Sequence, residues 1–209
     1  MATIYDLKPK FQALLRPLVA RLAKAGVSAN QLTVIACVLS LLHGAAHLSD
    51  PGATWAVVLL PVVLFVRMGM NAIDGMLARE FGHASKLGAI LNEVTDVVSD
   101  AALYLPFAFI PGLPASLVVV AVLFGVIAEM TGVVGIQIGA SRRYDGPFGK
   151  SDRAFFFGAL ALLLMYFEPG RWSTVLVAFA CALGAATIVN RSRQALKEAA
   201  RKEAGHAHS

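Results

Sequence analysis

Cysteine and charged residues are both scarce in this chain, and each scarcity narrows the class of protein. Only Cys37 and Cys181 occur, each within an apolar stretch, which excludes a disulfide framework and a cysteine metal site. Charged residues make up 15% of the chain, well below the level of a soluble globular domain. Hydrophobic residues reach 57% and the mean hydropathy is +0.69. The composition therefore predicts that the bilayer is the solvent of this protein.

The N-terminal segment lacks the compact apolar core of a cleavable signal peptide, because Lys8, Lys10, Arg16 and Lys24 interrupt it. We expect this end to stay on the cytoplasmic side. The formal net charge of +5 is explained by membrane orientation and by anionic lipid headgroups, so nucleic acid is not predicted as a partner. The chain also shows no internal repeat or low-complexity tract.

Apolar stretches near the length of about 20 residues that a membrane-spanning helix needs recur along the chain between turn signals. They cover residues 29–48, 53–79, 86–110, 114–140, 153–168 and 172–190. The pattern predicts an all-α integral membrane protein with six transmembrane helices and one domain over 1–209. We expect 1–27 to form an interfacial amphipathic segment, or an ordinary basic flank, 28–190 the six-helix bundle, and 191–209 a basic cytoplasmic tail.

Basic residues cluster at alternate ends of these stretches, and Arg171 is the exception on the opposite face. Loops rich in lysine and arginine stay in the cytoplasm. We therefore predict a multi-pass protein of the inner membrane with both termini, and the loops after the second and fourth spans, on the cytoplasmic side.

Acidic residues inside the predicted spans are the strongest functional signal. A carboxylate at mid-bilayer costs roughly 2.5 to 3.5 kcal/mol, so a retained one implies an ion pair, a metal or a wet cavity. Asn71 with Asp74, and Asn92 with Asp96, are spaced so that each pair shares a helix face. Their similar depths below the cytoplasmic surface predict that these oxygen side chains converge. Such oxygen ligands suit a hard cation, Mg²⁺, Mn²⁺ or Ca²⁺.

Small and basic residues extend this hypothesis. Gly75 and Ala78 share the face of Asp74, where small side chains allow either a phosphate-bearing ligand or a neighbouring helix to approach closely. Arg142, Lys150 and Arg153 could bind the phosphate of an acceptor or a pyrophosphate, or serve as ordinary positive-inside charge.

Arg67 lies too deep for a loop-orientation charge. Helix geometry places Arg67, Asp100 and Glu129 at similar depths, about 18 to 21 Å from the basic residues that end their spans. We therefore favour ion pairing of Arg67 with one of these acids over metal ligation by them.

The spacing of the polar residues resembles the motif Asp-x-x-Asp-Gly-x-x-Ala-Arg, eight residues, Gly-x-x-x-Asp-x-x-x-Asp of the CDP-alcohol phosphatidyltransferase family. The matching positions are Asn71, Asp74, Gly75, Ala78, Arg79, Gly88, Asn92 and Asp96. The resemblance implies transfer of a phosphatidyl group from a CDP-linked lipid such as CDP-diacylglycerol to a small hydroxyl-bearing or phosphorylated acceptor, with one or two Mg²⁺ or Mn²⁺ ions and a homodimer.

The same resemblance implies residue roles. Asp74 and Asp96 would be catalytic metal ligands, joined by Asn71 and Asn92, with Asp96 or a neighbour as the base. The CDP moiety would contact Asn30, Thr33, Gly75, Ala78, Arg79 and Gly88.

Asn71 and Asn92 depart from the family motif, because carboxylates usually stand there, and Glu93 and Asp100 are compensating metal ligands in one interpretation. Two ions with asparagine ligands, one ion, or a site moved inward by a turn all remain open, although depth disfavours the last. A transporter that uses intramembrane acids, or a family member that binds without turnover, are the alternative functions.

Overall fold

Seven α-helices joined by turns make up the part of the chain that the structure describes. The structure is a computed structural model and describes residues 4–51 and 53–206, so the outermost residues of the predicted interfacial segment and tail, 1–3 and 207–209, lie outside the described residues. The helices are α1 Ile4–Lys24, α2 Ala29–Ser49, α3 Thr54–Glu80, α4 Lys86–Tyr104, α5 Ala115–Val134, α6 Lys150–Leu164 and α7 Arg171–His206. Two 3-10 turns, Leu105–Phe109 and Gly135–Ile138, follow α4 and α5. The predicted all-α class is confirmed.

Among the described residues, four helical segments are long and apolar enough to cross a membrane. They are Ala29–Ser49, Thr54–Glu80, Ala115–Ile138 and Arg171–Gly205. The other two predicted spans fall short for identifiable reasons: α4 carries Lys86, Glu93, Asp96 and Asp100 within 19 residues, and α6 has only 15 residues. A bundle of six spans, and an interfacial position for α1, therefore stay predictions.

The last helix is longer than a membrane span. At about 1.5 Å per residue, the 36 residues of α7 extend beyond the hydrocarbon thickness of roughly 30 Å. The helix continues through the predicted boundary at 190 into the segment assigned to a basic tail.

The chain divides into two compact units, and the first comprises residues 1–42 and 62–99. Its core joins α1, the start of α2 and the end of α3 through Val19, Ala29, Leu32, Ile73, Met76 and Leu77. The helix α1 packs against this core through one face only, since Val19 is fully buried while Leu14 is 75% exposed. Burial of these apolar side chains holds the polar residues of α2 and α3 in a common neighbourhood.

The second unit comprises residues 43–61 and 100–209. The helices α5 and α7 pack along each other in it. A buried aromatic group anchors α6, because the rings of Tyr104 and Phe157 stack at a centroid distance of 4.2 Å and Phe107 meets Phe157 edge to face at 5.4 Å. A side chain at Gly44 would collide with the backbone oxygen of Ala102, so glycine there permits close contact between the ends of α2 and α4.

Candidate functional site

A cavity of about 270 Å³ opens in the first unit. Eight of its lining residues are among the predicted site residues: Asn30, Thr33, Asp74, Gly75, Ala78, Arg79, Gly88 and Asn92. They come from the start of α2, the end of α3 and the start of α4. The structure thus brings together residues that are up to 62 positions apart in the sequence.

The first turn of α2 is held by its own side chains. The Ser28 hydroxyl accepts a hydrogen bond from the backbone N–H of Gln31 at 3.2 Å, and the Gln31 side chain accepts one from the backbone N–H of Ser28 at 2.8 Å. This reciprocal capping satisfies backbone donors that a helix start leaves unpaired. It orders the turn that presents Asn30 and Thr33 to the cavity.

The carboxylate of Asp74 is buried and held by a hydroxyl. The Thr33 Oγ1 atom donates to Asp74 Oδ2 at 2.7 Å, and the two residues are 7% and 6% exposed. A charge-assisted hydrogen bond of this length restricts the carboxylate to one orientation. The predicted metal ligand on α3 is therefore positioned by the predicted CDP-binding residue on α2.

Two glycines allow polar side chains to lie against the helix backbone. A Cβ at Gly75 would come within 2.9 Å of the Arg79 guanidinium, and one at Gly88 would come within 2.7 Å of Asn30 Oδ1. Arg79 is exposed and forms no hydrogen bond or ion pair within residues 4–51 and 53–206. Its positive charge is available to a ligand in the cavity.

The loop between α3 and α4 also lines the cavity through His83, Ala84 and Ser85, which sequence reasoning did not select. Gly82 turns the chain with a φ of +73°, which glycine adopts without strain. The Ser85 Oγ accepts the backbone N–H of Gly88 at 2.9 Å and caps α4. Ser85 could have been identified from the sequence as a helix-capping residue, because it precedes an apolar run. Nothing in the sequence indicated His83.

Asp96 has a cationic neighbour in the same unit. Arg67, 3% exposed, donates to the backbone oxygen of Asp96 at 3.2 Å and to Asp96 Oδ1 at 3.4 Å. Neither Asp96 nor Asn71 nor Glu93 is among the residues that line the cavity. The structure thus gathers Asp74 and Asn92 at the cavity, and it gives Asp96 an arginine partner that the sequence did not identify.

A divalent cation is compatible with this oxygen-rich lining. Among the side chains that the structure describes, in 11–51 and 53–205, no three from His, Cys, Asp or Glu gather as a metal-binding group. Asp74 and Asn92 nevertheless offer hard oxygen atoms to one cavity. Mg²⁺ commonly uses one or two carboxylates and completes its shell with water and substrate phosphates. The donor set fits an ion that phosphate oxygens help to hold.

The second unit contains a buried cluster of arginines and acids. The Glu129 carboxylate accepts from Arg142 at 2.7 Å, from Arg153 at 3.0 Å and from Arg191 at 3.1 Å. Arg153 also donates to Asp100 Oδ2 at 2.9 Å. An ion pair between Arg67 and one of these two acids was expected, whereas Arg153 as a partner that both acids share was not.

The predicted phosphate-binding residues differ in availability. Arg153 is 3% exposed and its guanidinium serves two carboxylates, so a phosphate would have to displace one of them. Arg142, bound to Glu129, also lies over the Tyr144 ring at 4.4 Å. Lys150 begins α6 and is partly exposed.

The loop before α6 carries a further ion pair. Arg143 Nε donates to Asp145 Oδ2 at 2.7 Å, and this hydrogen bond lowers the pKa of the Asp145 carboxyl. Asp152 accepts the backbone N–H of Gly149 at 2.8 Å, which caps the start of α6.

Comparison with known proteins identifies relatives over almost the whole chain. A family model described as CDP-alcohol phosphatidyltransferase matches residues 26–186. The chain is 46% identical over 195 residues to the inner membrane protein YnbA of Escherichia coli strain K12, a match that spans 93% of this chain and 96% of that protein. It is 33% identical over 98 residues to the archaetidylinositol phosphate synthase of Pyrococcus horikoshii, across 46% of this chain and 49% of that one.

The fold is similar to that of solved membrane proteins. The phosphatidylinositol phosphate synthase PgsA1 of Mycobacterium tuberculosis, in complex with manganese and citrate, superposes with a TM-score of 0.71 at 17% identity, over 86% of this chain and 88% of that one. The same enzyme with CDP-DAG bound also gives 0.71 at 17% identity, over 86% and 92%. At this identity the likeness concerns the fold.

Proposed function

This chain belongs to the CDP-alcohol phosphatidyltransferase family, and from that premise we propose that it transfers a phosphatidyl group from a CDP-linked lipid, such as CDP-diacylglycerol, to an acceptor hydroxyl and releases CMP. One observation carries this proposal. The motif residues Asp74, Gly75, Ala78, Arg79, Gly88 and Asn92 line one cavity together with Asn30 and Thr33.

The donor would be held by its nucleotide and phosphate groups. The guanidinium of Arg79, which lies across Gly75, offers charge and paired N–H groups to phosphate oxygens. Asn30, whose side chain lies against Gly88, would offer an amide to the cytidine. A divalent ion bound at Asp74 and Asn92, with Asn71 and Asp96 as further ligands, would neutralise the diphosphate and polarise phosphorus.

The proposed reaction is a substitution at the lipid-bearing phosphorus. The acceptor oxygen forms a new bond to phosphorus, the bond from phosphorus to the oxygen that bridges to CMP breaks, and CMP leaves as the phosphate anion. The acceptor proton passes to a carboxylate, for which we propose Asp96. Its Oδ1 atom lies 3.4 Å from the Arg67 guanidinium, and a carboxylate is a common general base in enzymes.

The finer features of the sequence hypothesis belong to this proposal. We propose six spans with both termini and the cavity on the cytoplasmic side, where a water-soluble nucleotide can leave while acyl chains stay in lipid. The YnbA relative is an inner membrane protein by its name, which supports a membrane location for this chain. A homodimer, and phosphate binding by Arg142, Lys150 and Arg153, are parts of the same proposal.

The test is a CMP-release assay with purified protein, CDP-diacylglycerol, Mg²⁺ or Mn²⁺ and a panel of hydroxyl-bearing acceptors, with products identified by mass. Asp74→Asn and Asp96→Asn should each abolish turnover in folded protein. Turnover that is unchanged in both variants would contradict the assignment.

A second candidate function is binding of a CDP-linked lipid without turnover. It is favoured by Asn71 and Asn92, which remove two negative charges from the motif. In that case Asn71→Asp combined with Asn92→Asp would create turnover that the parent lacks. Robust turnover by the parent removes this candidate.

A further inference from the structure

His83 lines the cavity although it belongs to no part of the family motif. It lies in the loop Phe81–Ser85 between α3 and α4 and shares the lining with Asp74, Arg79 and Asn92. Its backbone N–H donates to the backbone oxygen of Leu77 at 3.3 Å, directly after the left-handed turn at Gly82. The loop is thus tied to the last turns of α3, and His83 is held at the cavity wall.

The imidazole of His83 has an unmet hydrogen-bonding group. Its Nδ1 atom is buried and has no hydrogen-bond partner within residues 4–51 and 53–206. Buried polar groups in folded proteins are almost always paired, so an unpaired one in a residue that lines a cavity points to a partner that comes from outside the chain. A polar ligand atom in the cavity can supply that partner.

The surroundings indicate what kind of ligand atom this is. Arg79, four residues earlier on the chain, lines the same cavity and has no ion pair with any described side chain. Ser85 and Gly88 bring the start of α4 to the lining, where the positive end of the helix dipole favours an anion. The segment from Arg79 to Gly88 therefore lines the cavity with hydrogen-bond donors and positive charge.

We propose that His83 binds the donor nucleotide by donating a hydrogen bond from Nδ1 to one of its phosphate oxygens. This inference rests on the proposed function, because it concerns the same donor at the same cavity. It adds a residue that the motif spacing does not specify and assigns the loop between α3 and α4 a role in holding the diphosphate. His83 contributes binding and orientation, while the proton transfer stays with the carboxylate.

A binding experiment separates this role from a structural one. Dissociation constants for cytidine, CMP and CDP are measured by calorimetry on detergent-solubilised full-length protein with Mg²⁺. His83→Ala should weaken CDP binding by roughly ten- to a hundredfold, the value of one hydrogen bond to a charged group, and leave cytidine unchanged. His83→Asn places an amide donor near the Nδ1 position and should restore CDP affinity to within about threefold of the parent.

The matched control is Phe81→Ala, which removes a large exposed side chain from the same loop without touching the cavity lining. It should bind all three ligands as the parent does. If His83→Ala leaves CDP affinity unchanged, or weakens cytidine as much as CDP, the phosphate contact is wrong. If the parent itself binds neither CDP nor CMP, the proposed function is wrong, and this inference, which depends on it, is wrong as well.

Discussion

The Thr33 hydroxyl donates a 2.7 Å hydrogen bond to the Asp74 carboxylate, and this bond connects α2 to the motif on α3. It supplies a donor to a buried carboxylate and fixes which oxygen atom remains directed to other partners. The bond explains why a residue near the start of the first apolar span belongs to a site whose charges come from later helices.

Removing that hydroxyl should lower the affinity of the site for its ligands without leaving a cavity in the core. Thr33→Val keeps the shape of the side chain but loses the donor, so we expect metal-dependent CDP affinity or turnover to fall about 10- to 100-fold, as for other groups that orient a ligand. Thr33→Ser retains the hydroxyl and should recover most of the loss. Equal behaviour of the valine and serine variants would show that the bond does not orient Asp74.

Gly88 should be intolerant of even one added methyl group. A Cβ there would lie 2.7 Å from Asn30 Oδ1 and 3.0 Å from Ser85 Oγ, so Gly88→Ala must displace the amide that we assign to the nucleotide. We expect CDP affinity to fall at least tenfold. Gly69→Ala is the control, since nothing lies within 4 Å of its added Cβ. That variant should bind CDP normally, with helix stability equal or higher.

Glu129 should be critical for stability, because three arginines share its carboxylate. Glu129→Gln leaves buried positive charge uncompensated, and we expect a loss of about 3 to 5 kcal/mol in the free energy of unfolding. Thermal unfolding in detergent measures it. The exposed Glu203→Gln is the isosteric control and should stay within about 0.5 kcal/mol of the parent. A loss of similar size in both variants would contradict a special role for Glu129.

Removal of divalent metal with a chelator should abolish turnover. Added negative charge at the cavity should raise the affinity for the metal. Asn92 lines the cavity with Asp74, so Asn92→Asp places a second carboxylate near the ion. We expect the metal concentration for half-maximal CMP release to fall roughly tenfold. Asn190→Asp makes the same chemical change in the second unit and should leave this concentration unchanged. Full turnover in excess chelator would exclude a metal-dependent reaction.

The helical segments were predictable because their signals are local. The predicted spans 29–48 and 53–79 correspond to α2 Ala29–Ser49 and α3 Thr54–Glu80, since an apolar run and the breakers at its ends are read directly from neighbouring residues. The end of α7 was less predictable. A basic, polar segment past residue 190 can form either a tail or a continued helix, and Arg191, 1% exposed, packs into the protein through Glu129.

The sequence by itself determined the helical class, the family and part of the cavity lining, because these depend on apolar length and on fixed spacings along single helices. Only the tertiary structure decided which charges meet. Arg67 pairs with Asp96 and Arg153 with Glu129, and these pairings depend on which face each helix turns toward its neighbours. The place of His83 at the cavity wall depends on the path of the loop between α3 and α4. Spacing along one helix carries no information on either.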